Sequence, residues 1–149
     1  ESESRGLGDV YKRQILNLAT ALSDKGSALA ASDVIPVIAV PKGNMVLNAG
    51  IEVDTASDGS TFTVDLGMVD ADVFVDGFDA TSAAAVVAQN PAVYQPIMAV
   101  ADDNIDLTIA SLSGGAVSTG KLRIWAVMMD CTDMGQDMTA NEVDRDYLA

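Results

Sequence analysis

The sequence contains no histidine and a single cysteine, Cys131. One thiol cannot form an internal disulfide, so packing must hold the fold together. Without histidine the chain cannot build a Ser-His-Asp triad, a Cys-His nucleophile or a zinc site that depends on histidine. These absences exclude most common catalytic centres. We therefore predict that the protein is not an enzyme and needs no cofactor.

Basic and aromatic residues are also scarce. Eight lysines and arginines stand against 22 acidic residues, which gives a net charge of −14. Such a chain repels phosphate backbones and anionic headgroups, so we predict neither nucleic acid nor a membrane as a partner. No apolar run approaches the roughly 18 residues that a membrane helix needs. Aromatic residues are only 5% of the chain and are scattered, which argues against a sugar-binding face made of stacked rings.

Hydrophobic residues are abundant, at 49% of 149 residues, which is enough for one domain with a core. The clearest pattern is KLRIWAVMMD at residues 121–130, where side chains alternate as in a half-buried strand. One face is apolar throughout and should be core: Leu122, Ile124, Ala126 and Met128. The other begins cationic and ends apolar: Lys121, Arg123, Trp125, Val127 and Met129. We expect another surface to cover the region near Trp125 and Met129.

Similar alternation predicts further strands at residues 45–54, 61–66 and 104–112. In the first of these, Met45, Leu47, Ala49, Ile51 and Val53 should face the core. Residues 57–60 form a tight-turn sequence, SDGS, which predicts that the strands at 45–54 and 61–66 pair as a hairpin.

Proline and alanine positions refine the prediction. Pro36 lies within the apolar run Val34–Val40, which indicates an edge strand or a bulge. Pro96 weakens a predicted strand at residues 93–100, and the Ala-rich residues 81–88 predict a short helix that Asn90 and Pro91 end. The spacing of strands and turns is typical of an all-β fold. We predict an antiparallel β-sandwich or jelly-roll-like barrel of about seven or eight strands, with one short helix and extended tails.

The chain divides into four segments. Residues 1–14 show neither the helical nor the strand period and resemble a translated sequencing-adapter read. We therefore interpret them as a non-native or disordered leader. A flexible native arm is the alternative. Residues 15–32 form an N-terminal arm for which a short helix and an extended conformation both fit. Residues 33–131 are the β-sandwich domain, and residues 132–149 are an acidic C-terminal extension. We expect this extension to be free in isolation or to lie on a neighbouring subunit.

The densest group of carboxylates lies between two predicted strands and gives weak calcium candidates: Asp65, Asp70, Asp72 and Asp76. Calcium prefers several hard oxygen ligands, but the spacing does not match a helix-loop-helix calcium loop. We therefore prefer a solvated acidic turn and predict no metal site. The same residues offer a carboxylate pair for glycoside hydrolysis, but nothing in the sequence brings two of them together in a cleft.

Tryptophan and methionine indicate a candidate subunit interface, because both are favoured where subunits pack. Trp125 is the only tryptophan, and an interface or the core suits it better than a sugar platform. Our candidate interface residues are Trp125, Met129, Met134, Met138 and Tyr147.

The order of segments carries a resemblance. An apolar strand with a Pro-Lys-Gly turn at residues 34–43 is followed by VLNAGIEVDTA, FTVDLGMVDADVFVDGFDA, ADDNIDLTIA and KLRIWAVMMDC. This order resembles small virion proteins of tailed bacteriophages that are encoded near the major capsid protein and decorate, or cement, the head. The most specific parts lie at residues 64–77 and 101–110.

The resemblance implies a β-rich structural protein that binds the exterior of a phage capsid and stabilises it. Its partners would be the major capsid protein and further copies of itself, most often in a homotrimer. Two alternatives stay open: a calcium-dependent carbohydrate-binding or adhesin-type module, and a head-fibre or tail-associated protein. The acidic C-terminal extension departs from the decoration-protein pattern and favours the last of these.

Overall fold

The chain folds into two stacked β-sheets. A computed structural model describes residues 9–88 and 96–131. Its elements, in chain order, are β1 (Asp9–Asn17), α1 (Leu18–Lys25), β2 (Val34–Val40), β3 (Asn44–Thr55), β4 (Thr61–Gly67), β5 (Val75–Asp79), β6 (Val86–Ala88), β7 (Ile97–Met98), β8 (Asp103–Ser113) and β9 (Lys121–Asp130).

Strand order defines the two layers. Sheet A runs β1-β9-β3-β6, with β7 also paired to β3, and sheet B runs β2-β8-β4-β5. Every pairing is antiparallel. The predicted antiparallel sandwich is confirmed, and the barrel alternative is not adopted. The described residues contain nine strands, slightly more than the seven or eight expected.

The core lies between the two sheets, and β9 supplies the middle of one side. Leu122, Ile124, Ala126 and Met128 are fully buried, as their alternation predicts. The opposite side of the core comes from β4 and β8, whose inward residues are also fully buried: Phe62, Val64, Leu66, Ile105, Leu107 and Ile109. The period of two therefore identified the core face of three strands.

Pro36 correctly predicted that β2 is an edge strand with a bulge. The strand is at the edge of sheet B, and its pairing with β8 shifts register between Pro36 and Ile38. Proline lacks the N–H that a central strand needs, so an edge and a bulge are the positions that tolerate it. Both predicted outcomes, edge strand and bulge, are confirmed.

The predicted hairpin of residues 45–54 and 61–66 is wrong. Strand β3 belongs to sheet A and β4 to sheet B, so the turn between them crosses from one sheet to the other. Other loops hold this turn in place. The Asp58 carboxylate accepts hydrogen bonds from the backbone N–H groups of Ser118 and Thr119, at 2.9 and 3.0 Å, and from the Ser118 hydroxyl at 2.7 Å. The Ser57 N–H also donates to Ala80 O at 3.0 Å.

A bulge in β3 corrects the predicted core face. The pairing of β3 with β9 shifts register between Val46 and Asn48. The additional residue, Leu47, inverts the alternation. Val46 is therefore buried before the bulge, and Ala49, Ile51 and Val53 are buried after it. Met45 and Leu47, which the simple alternation assigned to the core, are only half-buried.

The predicted helix at residues 81–88 is also wrong. Ala84 has a φ of +60°, which no α-helix contains, and Val86–Ala88 forms strand β6 against β3. Val53 of β3 donates its N–H to Ala85 O, and Val53 O accepts from Ala84 N–H, so β3 supplies the hydrogen bonds that a helix would have made internally. The β-branched pair at 86–87 also suits a strand.

The helix lies instead in the N-terminal arm, where a helix was one of two expectations. Asn17 caps α1 by accepting the Ala19 N–H, and Gly26 ends it with a φ of +71°. In the described part of the chain, no helix is long and apolar enough to cross a membrane.

The predicted leader overlaps a strand. Strand β1 pairs with β9 continuously from Asp9 opposite Met129 to Asn17 opposite Lys121. The expected boundary at residue 14 therefore falls inside a strand, and the division of the chain into four segments stays a prediction. Residues 132–149, and residues 93–95 of the strand predicted at 93–100, lie outside the described residues. In the described remainder of that segment only Ile97–Met98 forms a strand, β7.

The hydrogen bonds of Asp58 predict a pH-dependent stability. The Ser118 hydroxyl and the backbone N–H groups of Thr119 and Ser118 lower the pKa of Asp58 from 3.8 to about 2. A carboxyl whose pKa is lower in the folded state stabilises above its unfolded pKa, and this contribution disappears as pH falls from about 4 to about 2. We expect Asp58→Asn to melt at a lower temperature than the wild type at pH 7.

The pH profile is the decisive measurement. The difference in Tm between Asp58→Asn and the wild type should narrow below pH 4 and nearly close at about pH 2. Asp72→Asn, in an exposed turn, is the matched control and should follow the wild type at every pH. A constant difference in Tm down to pH 2 would show that the lost charge is not the cause.

A candidate subunit interface

The outer face of sheet A is organised around Trp125. This residue is in the middle of β9, between β1 and β3, and is directly opposite Gly50 of β3. A Cβ added to Gly50 would lie under 3.0 Å from three indole atoms, Cζ2, Cη2 and Cε2. The six-membered ring therefore covers Gly50, in the way that aromatic side chains cover glycines in designed sheets. Trp125 itself stays half-buried.

This contact gives a direct test of the geometry. Gly50→Ala should push the indole off β3, and because the ring lies on the surface it can move, so the free energy of unfolding should fall by only about 1 kcal/mol. Trp125 is the only tryptophan, so its emission should shift to longer wavelength as the ring becomes more exposed.

Gly77→Ala is the control for this experiment. Nothing lies within 4 Å of a Cβ added to Gly77, which is in β5 of the other sheet. That variant should leave the emission of Trp125 unchanged. Unchanged emission in Gly50→Ala as well would contradict the placement of the ring.

One end of the face carries charges that pair with each other. The Arg123 guanidinium donates to Glu52 Oε2 at 2.6 Å and to Asp54 Oδ1 at 3.3 Å. The hydrogen bond to Glu52 and its negative charge raise the pKa of Arg123. Lys121 is the next residue on the same side of β9. On β3 and β9, two cations thus stand near two carboxylates, and this end of the face is close to neutral.

The other end carries three methionines in one row. Met45 of β3 is opposite Met129 of β9 and also opposite Met98 of β7. Directly paired residues point to the same side of a sheet, so the three side chains share the outer face. We call Met45, Met98 and Met129 the methionine patch. Met98 is 42% exposed, and the other two are half-buried.

Only part of the predicted interface can be placed. Trp125 and Met129 lie on the same outer face, two strand pleats apart, whereas Met134, Met138 and Tyr147 lie outside the described residues. Met45 and Met98 were missed as surface residues. Simple alternation put Met45 in the core because a bulge leaves no clear mark in the sequence, and the two-residue strand β7 is too short to show a period.

The calcium candidates lie around the β4–β5 turn. Asp65, on β4, accepts the Gly77 N–H at 2.7 Å, so one of its oxygens stabilises the backbone of β5. Asp70, Asp72 and Asp76 are exposed. Within residues 9–88 and 96–131, no three acidic or cysteine side chains are grouped closely enough to hold a metal ion.

Comparison with known proteins gives matches in structure alone. No protein-family model matches the chain, and no curated protein sequence matches it. Among solved structures, a chain of the cyanophage Pam1 capsid asymmetric unit superposes with a TM-score of 0.62 and 14% identity, over 87% of this chain and 91% of that one. The fold is that of phage capsid chains. A chain of the Ralstonia phage GP4 capsid superposes with a TM-score of 0.64 and 16% identity, over 87% of this chain and 89% of that one.

A third structure extends the likeness. A chain of the acid-stable capsid of Helicobacter pylori bacteriophage KHP30 superposes with a TM-score of 0.52 and 12% identity, over 81% of this chain and 86% of that one. In all three comparisons the match covers most of both chains, so it concerns the whole sandwich and not one sheet. At such low identity the likeness shows a common fold.

Proposed function

We propose that this protein is a structural component of a bacteriophage virion that binds the exterior of the capsid and stabilises it, as a decoration protein does. The observation that carries the proposal is the match of the whole sandwich, over 81–87% of the chain, to chains present in three phage capsid structures. The order of strands and turns in the sequence independently resembles phage head-decoration proteins.

The surface chemistry of the candidate interface supports a binding role without catalysis. Its centre is a half-buried tryptophan, its charged end is neutralised within the face, and its other end is the methionine patch. Tryptophan and methionine are enriched where proteins pack against one another. Contacts that are weak singly become strong when a symmetric assembly presents many of them at once.

Sedimentation with capsids tests the proposal. The purified chain is mixed with empty capsids assembled from the major capsid protein of the same virus, and the particles are pelleted. The chain should pellet with the capsids and saturate at a fixed number of copies per particle, and the decorated capsids should withstand higher temperature than bare ones. A chain that stays in the supernatant at every ratio, with capsids and without them, would refute the proposal.

We further propose that the protein acts as a homo-oligomer, with a trimer as the expected state. Light scattering coupled to size exclusion should give a trimeric mass that is the same with calcium and with a chelator. A monomer that associates only when calcium is added would support the calcium-dependent binding module instead.

A further inference from the structure

Charge is unevenly divided between the two sheets. The four strands of sheet B contain no lysine or arginine, and their outer side carries three aspartates, Asp65, Asp79 and Asp106. More carboxylates flank these strands at Asp70, Asp72 and Asp102, and Asp103 is the first residue of β8. A second copy of the chain that approached this side would meet uncompensated negative charge, in addition to the repulsion between two chains of net charge −14.

Burial and one neighbouring carboxylate both act on the pKa of Asp106. Partial burial raises the pKa of Asp106, and the negative charge of Asp103 raises it further. Sheet A differs, because Glu52 and Asp54 on its outer face pair with Arg123. On β1 the register adds one cationic residue, Arg13 opposite Trp125, and one acidic residue, Asp9 opposite Met129, so the charges of the face balance. The outer face of sheet A is therefore the large described surface on which two copies can meet without strong like-charge repulsion.

The methionine patch is one apolar part of that face, and Tyr11 and Ile15 of β1 are exposed on the same side. Its three side chains are adjacent across β7, β3 and β9, and methionine is unbranched and adaptable, so it can pack against an identical surface. Val127 lies on the same side of β9 between Trp125 and Met129 and continues the apolar surface. The bulge at Leu47 is what turns Met45 outward to complete the row.

We infer that the methionine patch is a self-association surface, on which the patches of neighbouring copies of this chain meet around the axis of the oligomer. The acidic outer side of sheet B then points away from the contact. The inference rests on the proposed function only for the existence of an oligomer, because capsid binding does not enter its argument.

Two variants of opposite charge test the inference. Met98→Glu and Met98→Lys each place like charges against one another if patches meet, and each should raise the dissociation constant of self-association roughly tenfold or more. Met98 is 42% exposed, so both variants should keep the fold, which circular dichroism and Tm verify. An equimolar mixture of the two should associate more tightly than either variant alone, because a mixed trimer replaces two of its three like-charge contacts by contacts between glutamate and lysine.

Val34→Glu is the matched control. Val34 is 57% exposed, belongs to an edge strand and lies on the outer side of sheet B, opposite Thr108. This variant should associate like the wild type. A monomeric wild type, Met98 variants that associate as tightly as the wild type, or a mixture that associates no more tightly than either variant alone would each overturn the inference.

The same samples separate this inference from the proposed function. Each is pelleted with capsids of the same virus. A wild type that associates through the patch but never pellets would refute capsid decoration and leave the self-association surface in place. Met98 variants that lose self-association but still pellet would support both capsid decoration and the self-association surface, since the capsid would then be bound by another surface.

Discussion

Phe62→Ala should lower the free energy of unfolding by about 4 kcal/mol. Phe62 is fully buried on β4. Its loss removes apolar area from the core and leaves a cavity that two hydrogen-bonded sheets cannot easily fill. Urea unfolding at pH 7, followed by circular dichroism, measures the change.

Phe78→Ala provides the comparison for Phe62→Ala. Phe78 is on the adjacent strand β5 and is only half-buried, so the same truncation should cost about 1 kcal/mol. Equal losses in the two variants would mean that Phe62 is not at the centre of the core as described.

Gly67→Ala should destabilise the protein by about 3 kcal/mol for a different reason. Gly67 ends β4, and a Cβ at this position would lie under 3.0 Å from backbone atoms of Asp70 and Ala71. Backbone cannot move aside as a flexible side chain can, so the β4–β5 turn must open. We expect a lower urea midpoint and faster amide exchange in residues 66–75.

Gly77→Ala separates crowding from the general effect of replacing glycine. Gly77 has a φ of +65° and nothing within 4 Å of an added Cβ, so alanine there should cost only about 1 kcal/mol of left-handed strain. A larger loss at Gly77 than at Gly67 would contradict the close approach of the β4–β5 turn to Gly67.

The sequence predicted best where one pattern ran along a whole strand. The alternation in β9, β4 and β8 identified the buried side chains, because each strand has one face on the core. Pro36 identified an edge and a bulge through the hydrogen bond that proline cannot make. These features depend on residues close in sequence, and a local pattern is enough to predict them.

Features that depend on distant partners were not predictable in this way. The turn at residues 57–60 has the composition of a hairpin turn, and only the hydrogen bonds of Asp58 to a loop sixty residues later show that it joins two sheets. The segment at 81–88 has helical composition and becomes β6 because β3 offers it an unpaired edge. For the candidate interface, Trp125 and Met129 followed from the pattern, but Met45 and Met98 needed the register of three strands.

The position of β9 bears on how the protein is made. It is the last strand of the described chain, yet it lies inside sheet A and pairs on both sides, with β1 and β3. Paired residues of β1 and β9 are therefore separated by more than a hundred residues of chain, as with Asp9 opposite Met129, which is a high contact order and favours slow folding. During synthesis on the ribosome, sheet A cannot form completely until β9 is made, whereas all the strands of sheet B precede β9 and are already synthesised. Met129, which completes the methionine patch, is thus synthesised only when all the described strands of the sandwich are present. A partly synthesised chain lacks the complete surface on which copies would associate.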